Sequence, residues 1–192
     1  MNWNNHSKLA GSHAFLSASQ YAWLRDDPEK LKKRYLKFLA IQRGTDLHDL
    51  AMRHIKLGVE MPQTTRTLDQ YINDAIGFRM SPEVLLYYSD NCFGTADTIS
   101  FDEKTQMLRI HDLKTGEHPA RMEQLYIYAA LFCLEYNKKP GAIGIELRIY
   151  QNDAIVIANP QADEILPIME KIIEGDKIIN AIKNPSDEIT IK

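Results

Sequence analysis

Asp97, Asp112 and Lys114 lie in a segment whose pattern predicts a β-hairpin burying itself, CFGTADTISFDEKTQMLRIHDLK, with its turn at Asp102–Thr105. Side chains in a strand alternate faces. Leu108, Ile110, Asp112 and Lys114 therefore share one face, and so do Thr95, Asp97, Ile99 and Phe101. Each face is apolar near the turn and acidic farther along. A symmetric turn at Glu103–Lys104 would pair Phe101 with Gln106, Ile99 with Leu108 and Asp97 with Ile110, unless a β-bulge intervenes. Asp97 and Asp112 then become diagonal neighbours, roughly 7–8 Å apart at the backbone and within reach of one ligand. Two converging carboxylates repel unless a divalent cation neutralises them, and hard oxygen donors favour magnesium or manganese. Adding a lysine gives the means for metal-assisted phosphodiester hydrolysis: a polarised phosphate, an acidified water, and a cation to steady the nucleophile or the developing charge. The plainer alternative is that the strands end in water, leaving Asp112 and Lys114 as ordinary surface charges.

Further candidates flank this hairpin. Gln124 and Tyr128, four residues apart, project from one side of the following helix, beside an apolar stripe of Leu125, Ala129 and Phe132. Gly116 permits a tight turn into that helix. His48 falls one turn into a helix expected to begin after Gly44–Thr45, at the margin of a core face of Leu47, Leu50 and Ala51. His54, His111 and His118 have no such company and read as surface or packing residues, with His111 on the sheet face opposite Asp112. Cys92 and Cys133 sit in apolar segments and read as reduced core thiols.

The elements needed to position these residues follow from periodicity and punctuation. SASQYAWLR suggests a short helix capped by Ser17 or Ser19. Pro28 starts a helix that Gly44 breaks near Ile41; Thr45 caps another that ends at Gly58. Thr67–Met80 is helical, with Leu68, Tyr71, Ile72, Ala75 and Ile76 on one side. EVLLYYS and the hairpin give three strands, Pro119 opens a helix to about Tyr136, and AIGIELRIYQ and AIVIAN give two more strands about Asn152–Asp153. Pro160 opens a last helix, to about Ile182. This order predicts an α/β (α+β) fold, a small mixed sheet flanked by helices. One domain is expected over 1–192: a helical part to about 80, a sheet core from about 83 to 160, and the C-terminal helix from about 160 to 183.

A chain of 192 residues is long enough for a full core, and 44% hydrophobic with 26% charged residues is ordinary for a globular protein. Neither a signal peptide nor an apolar run of membrane-spanning length is legible, which predicts a cytoplasmic protein without membrane attachment. The net charge of −3 excludes a globally basic nucleic-acid binder, so any positive surface must be local. The most basic run is EKLKKRYLKFLAIQR, Glu29 to Arg43, which also fits a solvated helix face.

In order, GTDLH (Gly44–His48), GTAD (Gly94–Asp97), DLK (Asp112–Lys114) and QLYIY (Gln124–Tyr128) resemble the motif series of the RecB-like branch of the PD-(D/E)XK nuclease superfamily, and of small phage-type exonucleases related to CRISPR adaptation nucleases. LSASQYAWL is similar to the N-terminal helix of that group. The resemblance implies a restriction-endonuclease-like αβββαβ core and a Mg2+- or Mn2+-dependent DNA exonuclease leaving 5′-phosphate and 3′-hydroxyl ends. It implies that His48, Asp97, Asp112 and the Leu113 carbonyl hold the metal, that Lys114 is the catalytic lysine, and that Gln124 and Tyr128 position the strand at the scissile phosphate. DNA is the implied partner, with a recombination or other DNA-processing protein and an oligomer as possible company. The sequence departs from the adaptation nucleases at Asp26–Pro28, where a cysteine would be expected. Two cysteines cannot supply the four thiolates of an iron–sulfur cluster, so none is expected. The competing readings are a non-cleaving nuclease-fold module that recruits a recombination or packaging partner, and a metal hydrolase acting on another substrate.

Overall fold

The first long helix, α1 (Pro28–Leu57), starts as Pro28 predicts: the Asp27 carboxylate accepts the Lys30 amide at 2.8 Å and supplies the cap. It ends as Gly58 predicts, with Gly58 at φ 64° and the Val59 amide donating to the His54 carbonyl. The break expected at Gly44–Thr45 does not occur. Thr45 donates its hydroxyl to the Ile41 carbonyl at 3.3 Å, the habit of a helix-interior threonine, rather than capping a new helix. One glycine costs a helix interior about 1 kcal/mol, too little to interrupt turns that hold on either side.

The computed structural model of the chain describes residues 5, 7–9, 14–116 and 119–184; His118 lies outside them. By its contacts the chain forms two compact units, Met1–Thr45 and Asp46–Lys192, with the boundary inside α1. In the first, SASQYAWLR yields only a 3-10 helix, Tyr21–Arg25. Ser17 and Ser19 share a hydroxyl–hydroxyl bond of 2.6 Å instead of capping it, and Trp23 donates its indole N–H to the Ser17 carbonyl at 3.0 Å. Phe15 packs edge-on against Tyr35 and tilted against Phe38, at 5.0 and 5.3 Å between ring centres.

The second unit is a three-layer α/β arrangement. Five strands, β1 (Ser81–Ser89), β2 (Cys92–Asp102), β3 (Met107–Leu113), β4 (Gly144–Gln151) and β5 (Ala154–Ala158), form one sheet in that order. All neighbours are antiparallel except β3 and β4, which are parallel and joined through α3 (Glu123–Glu135). With α2 (Thr67–Gly77) before β1, the order α-β-β-β-α-β is the one expected. One sheet face carries α3 and α4 (Ala162–Lys183), where Leu108, Ile110, Leu147 and Ile149 meet Leu125, Ala129 and Ile165. On the other, Leu113 and Tyr150 pack with Tyr71, Ile72 and Ala75 of α2 and with Ala51 and Ile55 of α1. Each fully buried leucine or isoleucine among them contributes about 1.5–3 kcal/mol.

Several boundaries differ from expectation. α2 stops at Gly77, because Arg79 turns to φ 54° and the Met80 amide reaches back to the Ala75 carbonyl. α3 begins at Glu123, four residues after Pro119. α4 begins after Gln161, whose side chain forms a capping box with Glu164. The β2–β3 turn is longer than two residues: Asp102 accepts the Lys104 and Thr105 amides and Gln106 sits at φ 50°. The register consequently shifts by two, pairing Phe101 with Leu108 and Ile99 with Ile110. A shift of two keeps the side chains of the paired stretch, Thr98–Asp102 with Met107–His111, on their expected faces.

α2 has no cap of its own. Asp153, from the β4–β5 turn, accepts the Thr67 amide at 2.8 Å and donates its own amide to the Thr67 hydroxyl at 2.7 Å. Asp153 also sits at φ 57°. Asp153→Ala should therefore cost about 1–2 kcal/mol in urea denaturation, through a lost cap and a residue that tolerates this backbone poorly, whereas Asp153→Asn should retain most of the stability. Equal losses in the two variants would refute the cap.

Candidate functional site

Side chains from α1, β1, β2, β3 and α3 converge at one end of the sheet, all within the second unit. His48 reaches it because Ala51 and Ile55, three and seven residues on, form the buried side of α1. Leu50, expected in that stripe, is exposed instead. His48 Nδ1 stands 3.4 Å from Asp97 Oδ2.

Asp97 occupies the point where regular pairing stops. The β2–β3 ladder ends at Thr98–His111, and the Asp97 carboxylate accepts the Leu113 amide at 2.9 Å in place of a further backbone bond. Continued by one step, that register sets Asp97 across from Asp112 rather than diagonal to it. On its other side, β1 pairs Pro82 with Thr98 and Val84 with Ala96, leaving Glu83 facing Asp97 at φ 54°. Ala96 and Ile99, three residues apart, enter the same core cluster, so strict alternation slips around Asp97.

Asp112 is 2% exposed. Its carboxylate lies 2.9–3.0 Å from Lys114 Nζ, and one oxygen is buried without a well-directed hydrogen bond. Burial first, and then the charge of Asp97, push the Asp112 carboxyl up to about 6, against the opposing pull of Lys114 and His48. From Lys114 the contacts run outward: Lys114 donates to Gln124 Oε1 at 2.9 Å, and Gln124 Nε2 donates to the Tyr128 hydroxyl at 3.1 Å. The Tyr128 ring lies so close to β2 that a Cβ on Gly94 would come within 2.9 Å of it, which accounts for glycine at that position. Leu113 contributes its amide to Asp97 and its side chain to the α2-side core.

The structure thus brings His48, Asp97, Asp112, Leu113, Lys114, Gln124 and Tyr128 to one place, and adds Glu83. Ligand atoms of His48, Glu83 and Asp97 lie within 4.8 Å of one another. Glu83 is raised from the ordinary glutamate range by burial and then by Asp97. Sequence reading misses it because it looks like an acid at a strand start. Counting back from the Asp90–Asn91 turn would set Val84 opposite Asp97; the register shift between Tyr87 and Ser89 substitutes Glu83. One imidazole and two carboxylates, with the Asp112 carboxylate buried beside them and short of partners, have donor chemistry that fits a hard divalent cation. Beside it opens a cleft of about 500 Å3, lined by Lys114, Gly116, Arg121, Gln124 and Gln151 among others. Gln151 ties the loop before α3, donating to the Gly116 carbonyl and accepting the Ala120 amide.

Among the described residues, the other histidines and the cysteines stand apart. His54 bonds the Val59 carbonyl at 2.9 Å. His111 is fully buried on the opposite face, where desolvation and then Arg148 and Arg109 lower it to about 3; it is neutral and faces the Tyr150 hydroxyl at 3.2 Å. Cys92 and Cys133 are free thiols, and burial raises Cys133 to about 11. Among the described residues no helix is long and apolar enough to cross a membrane. Compared with known proteins, the chain matches no family model and no curated protein.

In metal-free protein Asp112 should set a pH dependence of stability. Its folded value, about 6, lies above the usual carboxylate value of about 3.9. Between the two, the folded form holds a proton that the unfolded form has released, so stability should fall as pH rises through that window. Asp112→Asn should remove the effect and raise stability at pH 8 by roughly 1–2 kcal/mol, read by urea denaturation in EDTA. A wild-type curve that is flat between pH 4 and 6 would contradict this assignment.

Proposed function

We propose that this chain is a Mg2+- or Mn2+-dependent deoxyribonuclease, an exonuclease of the RecB-like branch of the PD-(D/E)XK superfamily, acting in the cytoplasm. The observation that carries the reading is the buried Asp112–Lys114 pair, with Asp97, His48 and Glu83 on one side and Gln124 and Tyr128 on the other. Five segments of the chain meet there, and a grouping of acids, an imidazole and a lysine of this kind supports the reading of phosphodiester hydrolysis.

His48, Asp97, Asp112 and the Leu113 carbonyl would hold the cation, with Glu83 alongside. Such a cation, when bound, offsets the carboxylates, polarises a phosphodiester and lowers the pKa of a water. The protein's own groups do the rest. Asp112 fixes Lys114 Nζ, which keeps a positive charge beside the reacting phosphate and orients the attacking water. Gln124 is fixed in direction: its oxygen accepts from Lys114, so its amide must donate to the Tyr128 oxygen. The Tyr128 O–H is then left to donate outward, toward a non-bridging phosphate oxygen. Attack on phosphorus breaks the P–O3′ bond and leaves a 5′-phosphate and a 3′-hydroxyl. The adjoining cleft, with Arg121 on its wall, gives the strand a path past Lys114.

Purified protein should degrade end-labelled linear DNA with manganese or magnesium, and not in EDTA. Closed circular DNA should survive if digestion is exonucleolytic. Lys114→Ala should lower kcat at least 100-fold with little change in DNA affinity. Unchanged activity in that variant would sink the mechanism. Metal-independent binding with no cleavage would instead favour a nuclease-fold module that recruits a partner.

Glu83 gives a second test, independent of turnover. Glu83→Gln keeps size and hydrogen bonding but removes the charge facing Asp97, and should weaken Mn2+ binding about tenfold, measured by calorimetry or electron paramagnetic resonance. An unaltered Mn2+ affinity would remove Glu83 from the ligand set.

A further inference from the structure

The chain's charge is divided unevenly between its two units. Residues 1–45 hold eight Lys/Arg against three Asp/Glu, a net of +5, whereas residues 46–192 hold fifteen against twenty-three, a net of −8. The unit that carries the carboxylates is therefore strongly acidic and repels a polyanion, and the compensating charge is concentrated on one helical segment.

Within that segment some cations are already engaged. Lys30 and Arg34 both pair with Asp26, at 3.1 and 2.6 Å. Lys32, Lys33, Lys37 and Arg43 are exposed and make no ion pair or hydrogen bond among the described residues. At 3.6 residues per turn these four fall within an arc of about 140°. The arc lies on the side of the helix opposite Tyr35 and Phe38, which face the Phe15 ring. A solvated helix face ordinarily mixes both signs; within this arc the only acid is Glu29, at the helix start.

We infer that the Lys32–Lys33–Lys37–Arg43 arc of α1 is a nucleic-acid docking surface that engages the phosphates of duplex DNA without regard to sequence. The inference rests on the nuclease reading for the choice of DNA as the polyanion. The arrangement suits phosphates rather than a lipid surface. Of the exposed apolar side chains of this helix segment, Leu36 and Leu39 lie on or beside the basic arc, Ile41 stands apart, and Tyr35 is turned to Phe15 and Phe38, so no continuous apolar face is left free for acyl chains. Four long cationic side chains over about 17 Å of helix instead match a row of phosphates, where each contact releases counterions and makes affinity steeply salt-dependent.

The test uses the full chain in EDTA, so that binding is read without cleavage. A variant with Lys32, Lys33, Lys37 and Arg43 each changed to Gln keeps helix propensity, and circular dichroism checks its fold. Its affinity for a fluorescein-labelled duplex should fall at least tenfold. The slope of log affinity against log salt, between about 50 and 200 mM, should become shallower by about 3 to 4. A folded variant with wild-type affinity and slope overturns the proposal. So does a wild-type protein that binds phosphatidylserine vesicles through these four residues but not the duplex. If the variant loses duplex binding while wild-type protein never cleaves DNA with manganese, the nuclease reading fails and the docking surface stands. If cleavage is normal and duplex binding is indifferent to the arc, the reverse holds.

Discussion

A carboxylate cannot remain ionised inside a protein without compensation, and Asp112 is almost wholly inside this one. The surrounding structure answers that constraint. Lys114, two residues along the same strand direction, lies against the carboxylate; Gln124 accepts from the lysine and is itself held by Tyr128; His48 stands beside Asp97. Asp97 makes the problem harder, since its charge adds to the cost of ionising Asp112. A fold concerned only with stability would replace this arrangement with apolar side chains.

The neighbouring elements can be understood as supports for that arrangement. The parallel step from β3 to β4 requires a crossover, and α3 provides it while presenting Gln124 and Tyr128 to the end of β3. Gly94 lets the Tyr128 ring rest on β2, so the second and fourth motifs of the sequence touch each other. On the reverse face the sheet is braced by a polar network that carries no net demand for a cation. Arg148 bonds Asp74 and Glu146, Tyr150 donates to Asp74, and Arg109 shares Glu146. His111, one residue from Asp112, is held neutral there, so two adjacent residues of one strand face opposite electrostatic surroundings.

Much of this was legible from the residues in order. Two-residue alternation placed Asp112 and Lys114 on the same face as Ile110 and assigned His111 to the other, and the i, i+4 spacing put Gln124 and Tyr128 together. Those relations are local and survive errors in register, which is why the two-residue slip in the hairpin left them intact. Expectations failed where the outcome depended on small energies or distant partners. Gly44 did not break α1, because its cost is about 1 kcal/mol in a helix otherwise sustained. Leu50, expected in the core face of α1, proved exposed, because the helix face that meets α2 is set by packing and not by the count of apolar residues.

The sequence by itself determined the order of elements, the alternation of faces and the presence of an acid–acid–lysine group in a hairpin, because these follow from local backbone geometry and side-chain spacing. Only the tertiary structure decided what stands around that group. It gave Glu83 its place opposite Asp97, through a register shift elsewhere in the β1–β2 hairpin. It brought His48 from a helix about fifty residues away in sequence, and it made Asp112 a buried charge instead of a surface one. Burial and juxtaposition are sums over contacts from the whole chain, and no window of sequence contains them.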